Sequence, residues 1–199
     1  MTKEEKYTLA KWAINHALES GAQQVSVSIS NNQSSSIEVR EDKIDKLEQA
    51  LQNNLSIRLF VDKKYSTHST SRLNKDDLAH FIEEAIEGTK FLSEDEYRTL
   101  PDPDLYYKGG GKDLGSLDES FGSVDPEAKI QIAFAAEKEA AGKDDRIISV
   151  SCNYFDGLNE RVMVNSNGFE GDTASSYFGI STNVSVKGDG EARPDFGWG

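Results

Sequence analysis

The chain has 199 residues, enough for one large domain or two small ones, and folding should bury about 70% of the surface that the unfolded chain exposes. Its hydrophobic share is 36% and its charged share 29%, and 22 Lys plus Arg face 35 Asp plus Glu for a formal net charge of -13. That charge repels phosphate backbones, and the nearest basic run is only Lys63-Lys64, so direct nucleic-acid binding is disfavoured.

No stretch approaches the ~20 continuous apolar residues of a membrane span. The amino-terminal Met1-Thr2-Lys3-Glu4-Glu5-Lys6 has no apolar core of signal-peptide length, so the expected location is the cytoplasm. A single cysteine, Cys152, excludes an internal disulfide and suits a reducing compartment. Ile148, Val150 and Tyr154 place it in a strand as a small structural residue.

Tyr7, Ala10, Ile14, Ala17 and Leu18 recur at helical spacing and Gly21 follows as a C-cap, which predicts a first helix over about residues 3–20. From 25 to 70 the pattern changes to period two. Val25, Val27 and Ile29 alternate with serines, Asn31-Asn32 reads as a turn, and Ile37 and Val39 alternate with Glu38 and Arg40. The alternation predicts antiparallel strands with one covered and one wet face.

Spacing alone leaves the piece around Ile44 and Leu47 open between a short helix and an irregular strand. Asn53-Asn54 offers another turn before the strand Leu55, Ile57, Leu59, Val61. Asp62-Lys63-Lys64 then turns the chain into a hydroxyl-rich strand over 65–70. Asn74 is a plausible N-cap for a second helix whose buried stripe is Leu78, Ile82, Ala85 and Ile86, ending near Phe91.

Residues 93–124, with Pro101, Pro103 and Gly109-Gly110-Gly111, read as a connection. Asp125-Pro126 opens a third helix carrying Ile130, Ala133, Phe134 and Glu137 toward Gly142. Strands are expected over 146–154, 160–165 and 177–187. The resulting class is α+β: an antiparallel sheet covered by two amphipathic helices (1–92), the connection (93–124), then a helix and further antiparallel strands (125–199).

Candidate chemistry is sparse. His16 and His80 lie on helices and His68 in a strand, and none has a second ligand at the i, i+4 spacing that brings two imidazoles onto one helix face. Thr67 and Ser69 flank His68 but point to the opposite side of a regular strand. Gly109-Gly110-Gly111-Lys112 lacks the flanking strand, helix and hydroxyl of a phosphate-cradling loop. Glu83-Glu84 and Asp144-Asp145 fit a solvated acidic face. The Asn-x-Ser sequons at Asn32, Asn54 and Asn183 carry no meaning without secretion. Val164-Asn165-Ser166-Asn167-Gly168 reads as a tight structural turn. Neither a catalytic residue, nor a cofactor-binding residue, nor a metal ligand is therefore nominated.

The order of these parts resembles a known family. The helix ending Ser20-Gly21-Ala22, the strands over 24–30 and 35–41, Asp42-Lys43-Ile44-Asp45-Lys46-Leu47, the strand over 55–61, the helix over 73–91 and Leu100-Pro101 resemble the amino-terminal part of the TldD/PmbA family, once called modulators of DNA gyrase. Asp125-Pro126-Glu127-Ala128, Asp145-Arg146-Ile147 and Val164-Asn165-Ser166-Asn167-Gly168 resemble its second part, in the PmbA (TldE) branch. One departure is that Asp62-Lys63-Lys64-Tyr65 lacks the glycine common at that turn.

The resemblance implies that 42–50 is a strand. It also implies a heterodimeric zinc metallopeptidase acting on unfolded or extended peptides, in which the TldD-type subunit bears a His-Glu-x-x-x-His helix and the PmbA-type subunit does not. No His-Glu pair occurs in this chain. Family members run further, so a fragment without the carboxy-terminal domain is expected. The implied role is a non-catalytic subunit with a TldD-like partner, self-association, or both. The alternatives are a stand-alone module that adds a peptide to a strand edge, or contact with gyrase itself.

Overall fold

The computed structural model describes residues 1–109, 112–142, 144–188 and 195–198, the last four by backbone alone. The first helix, α1, is Lys3–Glu19 and starts in a capping box: Thr2 accepts from the Glu5 N–H while the Glu5 carboxylate accepts from the Thr2 N–H. Strands β1 (Gln24–Arg40), β2 (Lys43–Val61) and β3 (Lys64–Thr70) follow, then α2 (Lys75–Thr89), α3 (Pro126–Ala141), β4 (Ile147–Asn165), β5 (Glu170–Val186) and β6 (Asp195–Trp198). Asn74 caps α2 and Asp125 caps α3, with Pro126 at the first turn where its missing N–H costs nothing. The strands are hydrogen-bonded in the order β3-β2-β1-β4-β5-β6, antiparallel where β2 meets β3 and β5 meets β6. This is the expected α+β class.

The long strands correct three turn or break assignments. Asn31-Asn32 and Asn53-Asn54 do not turn the chain; they lie inside β1 and β2, with no positive φ at any of the four. The expected strands over 146–154 and 160–165 are likewise one strand, β4. The reversals fall at Glu41-Asp42 and Asp62-Lys63, where all four residues have φ between 50° and 60°. That is the geometry of a two-residue hairpin turn matching strand twist, reached here without glycine. The segment 42–50 is strand, as the resemblance implies.

Two compact units divide the chain. One comprises Met1–Asn31, Gln52–Leu114 and Asn159–Ala174; the other Asn32–Leu51, Gly115–Leu158 and Ser175–Gly199. In the first, α1 and α2 both cover the sheet: Leu9, Ala10, Ala13 and Ile14 with Leu78, Ile82 and Ile86 pack on Val25, Val27, Ile29, Leu55, Ile57 and Leu59. Each large side chain fully buried here contributes about 1.5–3 kcal/mol. Ser26 and Ser28 are buried as well, so the expected wet face is closed along this part of β1. β1 has a strand on each side, and Arg161 Nε reaches across to donate to Ser28 Oγ at 2.6 Å. In the second unit α3 covers a smaller core, with Ala133, Ile130 and Phe134 against Ile37, Val39 and Tyr154.

Candidate functional site

The second unit carries the most concentrated polar chemistry. Asp156 is completely buried on β4, and Lys129, projecting from the first turns of α3, is nearly so; their side chains are 0% and 8% exposed and form an ion pair through Asp156 Oδ2. The Tyr154 hydroxyl, two residues away on the same strand face, donates to the same oxygen at 2.9 Å. That bond and burial push the tyrosine pKa up, burial first. Asp156 Oδ1 has no partner among the described residues. Lys129 Nζ also sits 5.5 Å from the centre of the Phe121 ring, which packs on Phe178 at 5.4 Å. Two turns further along α3, Glu137 accepts the Asp42 N–H with both oxygens, at 3.1 and 3.3 Å, and so pins the β1–β2 hairpin.

Lys129 and Phe121 line a groove of about 420 Å³ with Gln33, Ser34, Gln49 and Leu51. A second depression, of about 600 Å³, is lined by Ser34, Ser36, Leu47, Ala50, Phe155 and Tyr177. Its aromatic pair is seated by glycines: a Cβ on Gly157 would stand 2.4 Å from the Tyr177 ring, and one on Gly179 would stand 2.3 Å from the Phe155 ring. The lining is hydroxyl, amide and apolar, with one ammonium paired to Asp156 and one carboxylate, Glu48, paired to Lys46. Such a surface can hold an extended chain by hydrogen bonds and apolar contact.

The residues weighed from sequence lie elsewhere. His16 on α1 stacks on Trp12 with centroids 5.4 Å apart and meets Glu83 of α2 at 3.1 Å; His80 lies on α2. His68 Nε2 lies 3.0 Å from Ser66 Oγ, at the i, i+2 spacing that shares a strand face, and not beside Thr67 or Ser69. The hydrogen-bond directions decide what that pair does. Thr89 Oγ1 donates to the Ala85 carbonyl at 2.6 Å, so the buried Ser66 hydroxyl donates to Thr89 at 2.5 Å and His68 donates to Ser66. A base would have to accept from the serine, so the chain runs opposite to nucleophile activation. Burial also lowers the His68 pKa.

Cys152 is buried in β4, accepts from Thr182 Oγ1 at 3.6 Å, and has its thiol pKa pushed up by burial, as an unreactive cysteine should. Gly110 and Gly111 lie outside the described residues, and Lys112 begins a stretch without helix or strand. Among the described residues no three of His, Cys, Asp and Glu are grouped to hold a metal ion.

The Asn165–Gly168 turn is a structural hub of the first unit. Gly168 has φ +98°, Ser166 exchanges bonds with the Val25 backbone at 3.0 and 2.9 Å, and Asn167 donates to the Pro101 carbonyl at 2.9 Å. The Tyr106 hydroxyl is within reach of Pro101 and Asn167, and its ring packs edge-on to Phe169 at 5.1 Å.

Comparison with known proteins adds the identity that this geometry lacks. A family profile described as PmbA/TldA metallopeptidase domain 1 matches residues 25–88, and the profile for the central domain of the same metallopeptidases matches residues 119–199. The chain belongs to the PmbA/TldD family. A metalloprotease PmbA homolog of Haemophilus influenzae is 25% identical over 186 residues, which is 92% of this chain and 40% of that one. A proposed modulator of DNA gyrase from Bacteroides thetaiotaomicron has the same fold at TM-score 0.95 and 43% identity, over 100% of this chain and 45% of its own. TldE of Thermococcus kodakarensis shares the fold at TM-score 0.76 with 16% identity, over 95% of this chain and 42% of its own. The chain thus spans under half the length of these PmbA/TldD relatives. No helix among the described residues is long and apolar enough to cross a membrane.

Proposed function

We propose that the chain forms the amino-terminal portion of a PmbA/TldE-type subunit, without catalytic residues of its own, in a peptide-processing assembly with a TldD-like metallopeptidase. Support for this reading comes from family membership and from the likeness to a metalloprotease PmbA homolog, 25% identical over 92% of this chain; the 199 residues themselves contain no His-Glu pair. A zincin-type site needs histidines one helical turn apart with a glutamate to activate water, and this chain cannot supply them.

In this role the second unit's groove, with its paired ammonium, and the depression with the glycine-seated aromatics hold extended peptide or partner backbone while the chemistry is done elsewhere. The test is zinc analysis and a peptidase assay on the purified chain. Less than a tenth of an equivalent of zinc and no cleavage of an unfolded protein are expected. Tight stoichiometric zinc with chelator-sensitive cleavage would overturn the proposal. Direct action on gyrase is the weaker reading, since it rests only on how some relatives are described.

A further inference from the structure

The turn between β4 and β5 carries the chain's one Asn-Gly pair, Asn167-Gly168. That dipeptide has a chemistry of its own. The backbone nitrogen of Gly168 can attack Cγ of Asn167, and the glycine has no side chain to shield it. An N–Cγ bond forms, the Cγ–Nδ2 bond breaks, and Nδ2 leaves as ammonia with the proton given up by the Gly168 N–H. Water then opens the five-membered imide at either carbonyl, leaving aspartate or isoaspartate.

In the folded first unit every participant is held. The Gly168 N–H donates to the Asn165 carbonyl at 3.2 Å, so the attacking nitrogen keeps its proton. Asn167 Nδ2 donates to the Pro101 carbonyl at 2.9 Å, and Asn167 Oδ1 accepts from the Tyr106 hydroxyl, whose oxygen in turn accepts from Asn165 Nδ2 at 3.4 Å. The tyrosine ring is itself seated on Phe169. Donation from Tyr106 polarises the amide carbonyl, which favours attack. The clamp outweighs that effect, because it fixes both ends of the amide and keeps Cγ from swinging onto the Gly168 nitrogen. We propose that Asn167 is a deamidation site kept latent by the Tyr106 and Pro101 contacts, and that its conversion releases the 101–106 segment from the turn. A carboxylate only accepts hydrogen bonds, so the product sets acceptor against acceptor at the Pro101 carbonyl. Isoaspartate also lengthens the turn by one backbone methylene. The inference rests on the geometry of the first unit and does not depend on the metallopeptidase-subunit reading.

The test is incubation at mildly alkaline pH of the native wild type, the wild type unfolded in urea, and native Tyr106→Phe, which keeps the ring on Phe169 and deletes only the hydroxyl. Peptide mapping by mass spectrometry locates the converted amide, and labelling with an isoaspartyl methyltransferase counts the isoaspartate. Asn167 should convert first in the unfolded chain and slowly in the native one. In Tyr106→Phe the native rate should rise about fivefold, the shift in a local opening equilibrium that one hydrogen bond commands, while the other asparagines stay unchanged. Asn167→Asp, which carries the product's carboxylate, supplies a second readout: hydrogen exchange at the Leu105 and Tyr106 amides, bonded to the Asp102 and Pro103 carbonyls at 2.9 and 3.2 Å, should quicken. Equal native rates for wild type and a folded Tyr106→Phe, a native rate matching that in urea, earlier conversion at another asparagine, or unchanged exchange in Asn167→Asp would overturn the proposal.

Discussion

Replacing Lys129 with methionine should be among the most damaging single changes in the second unit. Methionine keeps most of the length and apolar packing of the lysine stem while deleting the charge. What remains is a fully buried Asp156 carboxylate with one hydrogen bond, from Tyr154 at 2.9 Å, and an Oδ1 with no partner among the described residues. Removing one member of a buried ion pair costs about 3–5 kcal/mol because the other charge is left uncompensated. Replacing the whole polar group is a different perturbation. In K129M/D156L/Y154F no buried charge or hydroxyl survives, and stability should return to within about 1–2 kcal/mol of wild type or exceed it. Urea unfolding followed by circular dichroism reads both variants. A K129M loss under about 1 kcal/mol, or a triple variant no more stable than K129M, would refute the account of this site.

Three further outcomes follow from the geometry. Burial lowers the His68 pKa below its ordinary 6.5, so between that lowered value and 6.5 the unfolded chain binds more protons than the folded one; the contribution is intact above pH 6.5 and lost as pH falls through the folded value. His68→Asn should remove that part of the stability-pH slope, and identical slopes for variant and wild type would contradict it. Asn74→Ala deletes the cap on the Asp77 N–H, 2.9 Å long, and should cost about 1 kcal/mol in the unfolding of the first unit; no loss in a denaturant titration would argue against the cap. Gly168→Ala forces a Cβ into φ +98° and should destabilise by about 1–2 kcal/mol, measured in the same way.

The sequence made the helices and the apolar strand faces legible because their signals are local. Asn74 and Asp125 sit at true helix starts, and Leu78, Ile82 and Ile86 are buried on the face their spacing assigns. The turns were less readable. Asn31-Asn32 and Asn53-Asn54 have the composition of reversals, but long ladders keep them extended and the strands pass from one compact unit to the other beside them. Of the real reversals, Asp62-Lys63 falls where the sequence places a turn, whereas Glu41-Asp42 carries no turn signature apart from aspartate's tolerance of positive φ. Ser26 and Ser28 look solvent-facing until the strands on either side of β1 are in place.

The Lys129–Asp156–Tyr154 group was invisible in sequence for a similar reason. Lys129 and Asp156 lie on different elements, and each alone resembles any surface charge in an acidic chain. Tyr154 and Asp156, like Ser66 and His68, stand at the i, i+2 spacing that puts two side chains on one strand face, which is the local trace these pairs leave in the sequence.

The most direct measurement of the proposed role is reconstitution with a TldD-type subunit bearing His-Glu-x-x-x-His. Size-exclusion chromatography with in-line light scattering would follow the mixture while cleavage of an unfolded protein is assayed across a titration of this chain. The account predicts a stoichiometric complex and a cleavage rate that rises to a plateau at the stoichiometric point, with no cleavage by this chain alone. Two separate peaks and a rate unchanged by adding the chain would contradict it.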